Sequence, residues 1–186
     1  MKLSTIILVL VLVGLNLCCS QGQRCGGWVK LNTAPVCFSA KGNRPGSFTP
    51  SHHGFLKSVK LRHLRGLVTC QSSTDAHDSY WGCKNRDGFH NYPLNVFVTD
   101  KHNKVMFPKT GATYYLDPYV IKNRFYGVQG YNAMSPELVL QHGCNSPSDY
   151  IGPDSQLRVW YGEDLYNTME SDNSGKVCAD VFGYFV

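Results

Sequence analysis

Six cysteines constrain this chain more than any other feature. They stand at Cys25, Cys37, Cys70, Cys83, Cys144 and Cys178, downstream of an apolar leader that carries two more, Cys18 and Cys19. The leader, MKLSTIILVLVLVGLNLCCSQG, has the form of a secretory signal. Lys2 supplies the positive start, Ile6 to Leu17 the apolar core, and small residues follow, so cleavage is expected after Ser20 or Gly22. The competing reading, an uncleaved anchor, meets an apolar run that is short for a membrane span. Residues 1–22 are therefore expected to leave, and 23–186 to form one domain. An even number of cysteines in an oxidising compartment reads as three disulfides, and their spacing matches no zinc ribbon or finger.

Fifteen pairings are open to six cysteines. Cys70 with Cys83 is the favoured local pair, because strand-like runs flank it; closing so short a loop stabilises by roughly 3 kcal/mol on a chain-entropy model. Cys37–Cys178 and Cys25–Cys144 are the preferred remainder, tying the two ends of the chain together. No later stretch is apolar enough to span a bilayer. The mature length, about 165 residues, suits one domain with a real core.

The patterning is mostly of period two, and helical periodicity is scarce. Trp28 to Asn32 and Pro35 to Ala40 read as strands. In FLKSVKLRHL, Phe55 to Leu64, Val59, Leu61 and His63 share one face while Lys60 and Arg62 share the other. Gly66 to Gln71 and Tyr80 to Lys84 are expected as strands on either side of the short disulfide loop. NVFVTDKHNKVMF, Asn95 to Phe107, is the clearest hairpin, turning at Asp100 to Asn103. Leu138 to Gln141, Leu157 to Tyr161 and Lys176 to Phe185 supply further strands. The expectation is an all-β, single-domain β-sandwich of jelly-roll type, stapled by disulfides. Thr113 to Pro136 is rich in tyrosine and reads either as packed loop or as a ligand-facing surface.

Charge narrows the partners. The formal net charge of +5 falls to +4 with the loss of Lys2, a modest basic excess that argues against nucleic acid as a partner for a secreted protein. No Asn-x-Ser/Thr sequon is present, so N-glycosylation is not expected. The run KSVKLRHLR, Lys57 to Arg65, places Lys60 and Arg62 side by side as candidates for an anionic ligand, though edge strands commonly carry such cations as a solvated face guarded against edge pairing. No HExxH, G-x-S-x-G or Gly-rich phosphate loop occurs, and each cysteine is accounted for by a bridge, so no catalytic residues are assigned and the protein is not read as an enzyme. The cluster DAHD, Asp75 to Asp78, sets His77 between carboxylates that could bind a metal, though such a loop is more often a polar turn.

The acidic stretch GEDLYNTMESDNSG, Gly162 to Gly175, is the sharpest candidate site. Glu163, Asp164, Glu170 and Asp172 are four of only thirteen acidic residues, and they sit between two strands. Calcium takes six to eight oxygens from carboxylates, amides and carbonyls, which such a loop offers. The EF-hand spacing is absent. Asp172-Asn173-Ser174-Gly175 also has the composition of an ordinary turn. LRVWYGEDL followed by SDNSGKVCADVFG, with the N-terminal WVKLNTAPVCF and the central YWGC, resembles a group of secreted proteins of corals and sea anemones, some of them from the coral skeletal organic matrix. That resemblance implies an extracellular setting. The acidic residue, short gap and D/N-N-x-G leading into a final V-x-V strand is similar, over about twenty residues, to calcium-dependent galactose-binding lectins of the PA-IL type; the inserted Met169-Glu170 and Cys178 depart from that pattern. The similarity implies calcium ligands at Asp164, Asp172 and Asn173, with the ion touching sugar hydroxyls. Trp160 or Tyr161 is the candidate for stacking on a sugar, and strand alternation turns at least one of them into the core. The expected partners are extracellular glycans or matrix components. The alternatives are a structural component of an extracellular or biomineral matrix, and an enzyme of unrecognised type.

Overall fold

The computed structural model describes residues 27–85, 93–109, 113, 124–142 and 146–186. The leader, Cys25, Cys144 and the expected bridge between those two cysteines lie outside them, as do Tyr114, Tyr115 and Tyr119.

The chain builds two antiparallel sheets packed face to face. One holds β1 (Trp28–Lys30), β2 (Val36–Ser39), β4 (Gly54–Thr69), β7 (Glu137–Gln141), β8 (Asp149–Ile151) and β10 (Ser174–Phe185). The other runs in the order β3 (Gly46–Phe48), β9 (Leu157–Tyr161), β5 (Val96–Asp100) and β6 (Val105–Phe107). The two long strands β4 and β10 form the spine of the first sheet, in register from Ser174↔Thr69 to Phe185↔Leu56. β1 and β2 share the far edge of β10, while β7 and β8 share the far edge of β4. The architecture is the expected all-β sandwich.

The inward residues follow the alternation. Val59, Leu61, Val177, Ala179 and Val181 from the spine meet Val96, Val98, Leu157, Val159 and Tyr161 of the second sheet in one buried cluster. Removing these apolar surfaces from water is the main favourable term in forming such a sandwich. The alternation in β4 is interrupted where Cys178 pairs with Arg65 but Ala179 pairs with His63, leaving Leu64 as an extra residue in a bulge. That extra residue reverses the faces beyond it, turning Leu67 outward and Val68 inward, while Leu64 keeps the outer face already held by Lys60 and Arg62; a second shift in the ladder falls between Tyr184 and Phe185. Beyond the bulge, Gly66 has φ 86° and a Cβ there would lie 2.1 Å from the Lys176 carbonyl oxygen, so only glycine fits this approach of the two spine strands.

Two expectations need correction. Gly66 to Thr69 is not a separate strand but the end of β4, because the bulge lets the ladder continue past the turn-like Arg65-Gly66. Tyr80 to Lys84 forms no strand. It makes only isolated bridges in that region, Val68↔Ser79 and Gly82↔Leu94, and a Cβ at Gly82 would sit 1.9 Å from the Pro93 carbonyl oxygen. The chain there crosses another backbone rather than running alongside one. β3 and β8, three residues each, have too short a pattern to be read from sequence. The cluster Asp75–Asp78 is indeed local punctuation: a 3₁₀ turn whose Thr74 hydroxyl accepts the Ala76 N–H.

Cys37–Cys178 and Cys70–Cys83 are both bonded. The first joins register partners on β2 and β10. The second ties the end of β4 to the segment beneath Leu94. Among the described residues, no helix is long and apolar enough to cross a membrane.

Candidate functional site

The acidic segment is more ordered than a turn. β9 ends at Tyr161 and the chain enters one helical turn, α1 (Gly162–Leu165). Gly162 is required there, since a Cβ would lie 2.5 Å from the Phe97 ring and 2.6 Å from Asn95 Oδ1. Asn95 Oδ1 instead accepts the Glu163 N–H at 2.9 Å and fixes the entry to the turn. Asn167 and Met169, both left-handed (φ 51° and 54°), then fold the chain into a 3₁₀ turn, Glu170–Asp172, before β10 begins.

Two of the four acidic side chains point inward. Asp164 is fully buried. Its Oδ1 accepts the Asn43 N–H at 2.7 Å and its Oδ2 the Arg44 N–H at 3.1 Å, while Glu170 Oε2 accepts the Gly42 N–H at 3.1 Å. Gly42 and Asn43 both have positive φ, which turns three successive amides towards the two carboxyl groups. Burial pushes the Asp164 carboxyl above its ordinary range, the amides of Asn43 and Arg44 pull it back, and the neighbouring Glu170 raises it further. Glu163, also buried, accepts from Asn173 Nδ2 at 2.9 Å, and the same amide nitrogen donates to the Ala40 carbonyl at 3.2 Å. The acidic segment therefore pins the loop after β2 and the start of β10 to the end of β9.

Of the three residues singled out as calcium ligands, Asp164 and Asn173 are buried and Asp172 is half-buried on the 3₁₀ turn. The Asp172 backbone oxygen accepts the Ser72 N–H at 2.7 Å, and among the described residues its carboxylate makes no hydrogen bond. Asn173 Oδ1 and Thr168 Oγ1 are buried oxygens without a hydrogen-bond partner among the described residues. Among those residues, no group of three or more His, Cys, Asp or Glu side chains is placed to hold a metal ion. A cation here would depend on amide, hydroxyl or carbonyl oxygens alongside the carboxylates, a donor set of the kind calcium accepts.

The other candidates are placed differently from expectation. Trp160 is only 5% exposed, so its ring offers no face to a sugar, and Tyr161 lies in the core with its hydroxyl donating to the Gly82 carbonyl at 2.9 Å. Consecutive strand residues normally face opposite sides; here both are buried, and Phe97, the register partner of Trp160, packs against Tyr126 at 5.3 Å. The aromatic ring that the acidic segment does expose is Tyr166, 38% accessible. Phe97 meets it edge-on at 5.9 Å, and the Arg124 guanidinium lies 4.4 Å from its centroid. Sequence reasoning passed over it because it follows no strand alternation. Phe125 and Tyr126, from the tyrosine-rich stretch, are buried.

Lys60 and Arg62 do share the outer face of the first sheet, and both are engaged. Lys60 Nζ lies 3.4 Å from Glu137 and over the Trp28 and Phe182 rings; Arg62 rests on Phe182 and donates to Asp180 Oδ2 at 2.9 Å. Asp180, nearly buried, also takes Lys30 at 2.8 Å and Asn32 Nδ2 at 3.2 Å. Burial alone would raise its carboxyl, but these three donors outweigh burial and hold it below the usual range. The basic stripe is stitched into its own sheet.

No protein-family model matches the chain, and no curated protein matches it significantly. Among solved structures, AJLec from the sea anemone Anthopleura japonica is 99% identical, covers 88% of this chain and 100% of its own, and superposes with a TM-score of 0.81. This agrees with the sea-anemone part of the resemblance carried by LRVWYGEDL and SDNSGKVCADVFG. None of the comparisons bears on coral skeletal proteins or on PA-IL-type lectins.

Proposed function

The chain belongs to the family of AJLec, and we propose from this premise that it is a secreted, non-catalytic glycan-binding protein assisted by calcium. The observation that carries the glycan reading is the near-identity to a protein whose name reads as that of a lectin. Two disulfides, one of them joining β2 to β10, support an extracellular setting, since such bonds persist in oxidising compartments.

Calcium enters through the acidic segment. Asp164, Asp172 and Asn173 are the ligands proposed, supported by the hard-oxygen chemistry of Gly162–Gly175 and by the unpartnered buried amide oxygen of Asn173. The ion would supply a charge centre able to accept sugar hydroxyls. Tyr166 would offer the adjoining aromatic face.

A glycan array probed in calcium and again in chelator tests both levels. Glycan binding that chelator abolishes and Asp172→Ala weakens is the expected result; the Asp172 carboxylate makes no hydrogen bond among the described residues, so this variant should fold. Binding indifferent to chelator removes calcium and leaves a plain lectin. Binding to no glycan, with retention in an insoluble extracellular matrix, would overturn the proposal in favour of a structural matrix component.

A further inference from the structure

A cavity of about 490 Å³ opens between the tip of the β5–β6 hairpin and the turn that follows β8, away from the acidic segment. Its size is that of a small-ligand site. Apolar side chains of Met106, Ile151 and Leu157, all buried, form part of its lining, and polar groups form the rest.

Both walls are held rigid by their own hydrogen bonds. At the hairpin tip, Asp100 Oδ1 accepts the N–H groups of His102 and Lys104 at 2.8 and 2.9 Å, and Arg158 Nη1 donates to Asn103 Oδ1 at 2.9 Å. On the opposite wall, Ser155 Oγ accepts the Gly152 N–H at 2.9 Å and the Ser155 N–H returns to the Gly152 carbonyl at 3.1 Å. A site built from such turns is largely pre-formed.

The lining is formally balanced, Lys101, Lys104 and Lys109 against Asp100, Asp149 and Asp154, but most of its acidic groups are engaged while two of its ammonium groups are not. Asp100 is committed to the hairpin amides, and Asp149 is paired with Lys109 at 3.0 Å. The side chains of Lys101 and Lys104 are exposed and their ammonium groups have no acidic or hydrogen-bonding partner among the described residues; against them stands Asp154. Tyr150 lines the cavity as well. It is 63% exposed and braced by Phe55, its register partner, at 5.4 Å. An exposed, braced ring beside polar groups is suited to the C–H face of a sugar.

We propose that this cavity binds an anionic sugar unit: Lys101 and Lys104 take a sulfate or carboxylate group, Tyr150 packs on the ring face, and Asp154 accepts hydroxyls. That the ligand is a sugar rests on the lectin reading above; that it carries negative charge rests on the cavity alone.

Calorimetry with three forms of one oligosaccharide tests it: a chondroitin sulfate hexasaccharide, its desulfated form with carboxylates only, and the desulfated, carboxyl-reduced neutral form. The wild-type chain should bind the first or the second more tightly than the third, and the preferred form names the anionic group. Lys101→Ala/Lys104→Ala should weaken that binding about tenfold and flatten its salt dependence. Tyr150→Ala should weaken all arms alike. Equal affinity of wild type and double variant for the charged forms, or no preference over the neutral form, overturns the assignment. If neutral glycans still bind the array in that case, the lectin reading survives; if nothing binds in either assay, both fall.

Discussion

Replacing Cys37 and Cys178 together by alanine removes a bridge that closes 141 residues of chain, whereas replacing Cys70 and Cys83 removes one that closes 13. If the bridges act by limiting the unfolded ensemble, the cost grows with the logarithm of the loop. The long bridge is then worth about 5 kcal/mol and the short one about 3 kcal/mol. If Cys25 and Cys144 are bonded as expected, the unfolded chain can pass from Cys37 to Cys178 by a detour of roughly 46 residues, and the long bridge falls to about 4 kcal/mol. It still outranks the short one. At about 2–4 °C per kcal/mol for a domain of this size, the two double variants should lose roughly 8–20 °C and 6–12 °C in Tm. Calorimetry and guanidinium unfolding of both variants, at one pH and beside wild type, would measure this. A steeper denaturant slope is expected for the long-loop variant, since its unfolded state expands more. Equal losses, or a larger loss for Cys70/Cys83, would refute the entropic account and assign the stabilisation to local packing at the end of β4.

Asp180→Asn should cost about 1–2 kcal/mol in chemical denaturation: the side chains of Lys30 and Arg62 are nearly half exposed and recover much of their hydration, while Asn32 stays buried. Because the folded carboxyl is held below its ordinary value, its contribution is complete above about pH 4 and is lost as pH falls further; the variant should lack that part of the acid-side slope. His142 is buried on the edge of Phe107, and burial depresses it despite Asp149 at 3.3 Å, so the ring stays neutral and this approach is no ion pair at neutral pH. Its contribution is present above about pH 6.5 and is lost as pH falls towards its folded value, which an NMR titration of the ring and stability measurements from pH 7 to 5 would follow. Asp164→Ala should cost about 2–4 kcal/mol and speed hydrogen exchange at the Asn43 and Arg44 amides specifically, since their acceptor is gone. Unchanged exchange at those two amides would show that the carboxylate does not hold the loop.

Much of the sheet was legible because burial on one face imposes a period of two. Val59 and Leu61 against Lys60 and Arg62, or the hairpin turning at Asp100 to Asn103, are local patterns that a strand reads out residue by residue. The same logic fails at Tyr80 to Lys84, whose path is set by how closely Gly82 approaches Pro93, and at Leu67, whose exposure follows from a bulge that exists only in the pairing with β10. Trp160 had the composition of a stacking residue but lies inside, while Tyr166 and Tyr150 are among the exposed rings, with no pattern to announce them.

The acidic segment draws the line between the two kinds of information. By itself the sequence determined that four carboxylates lie between two strands, that six cysteines follow an apolar N-terminal run, and that the strands alternate; these depend on composition and on neighbours along the chain. Only the tertiary structure decided that Asp164 turns inward onto the amides of Asn43 and Arg44, more than a hundred residues away in sequence, and that Lys101 and Lys104 face Tyr150 and Asp154 across one cavity. The physical reason is that a carboxylate's role is set by which donors reach it. Those donors are placed by the pairing of distant strands, for which a linear sequence carries no distance.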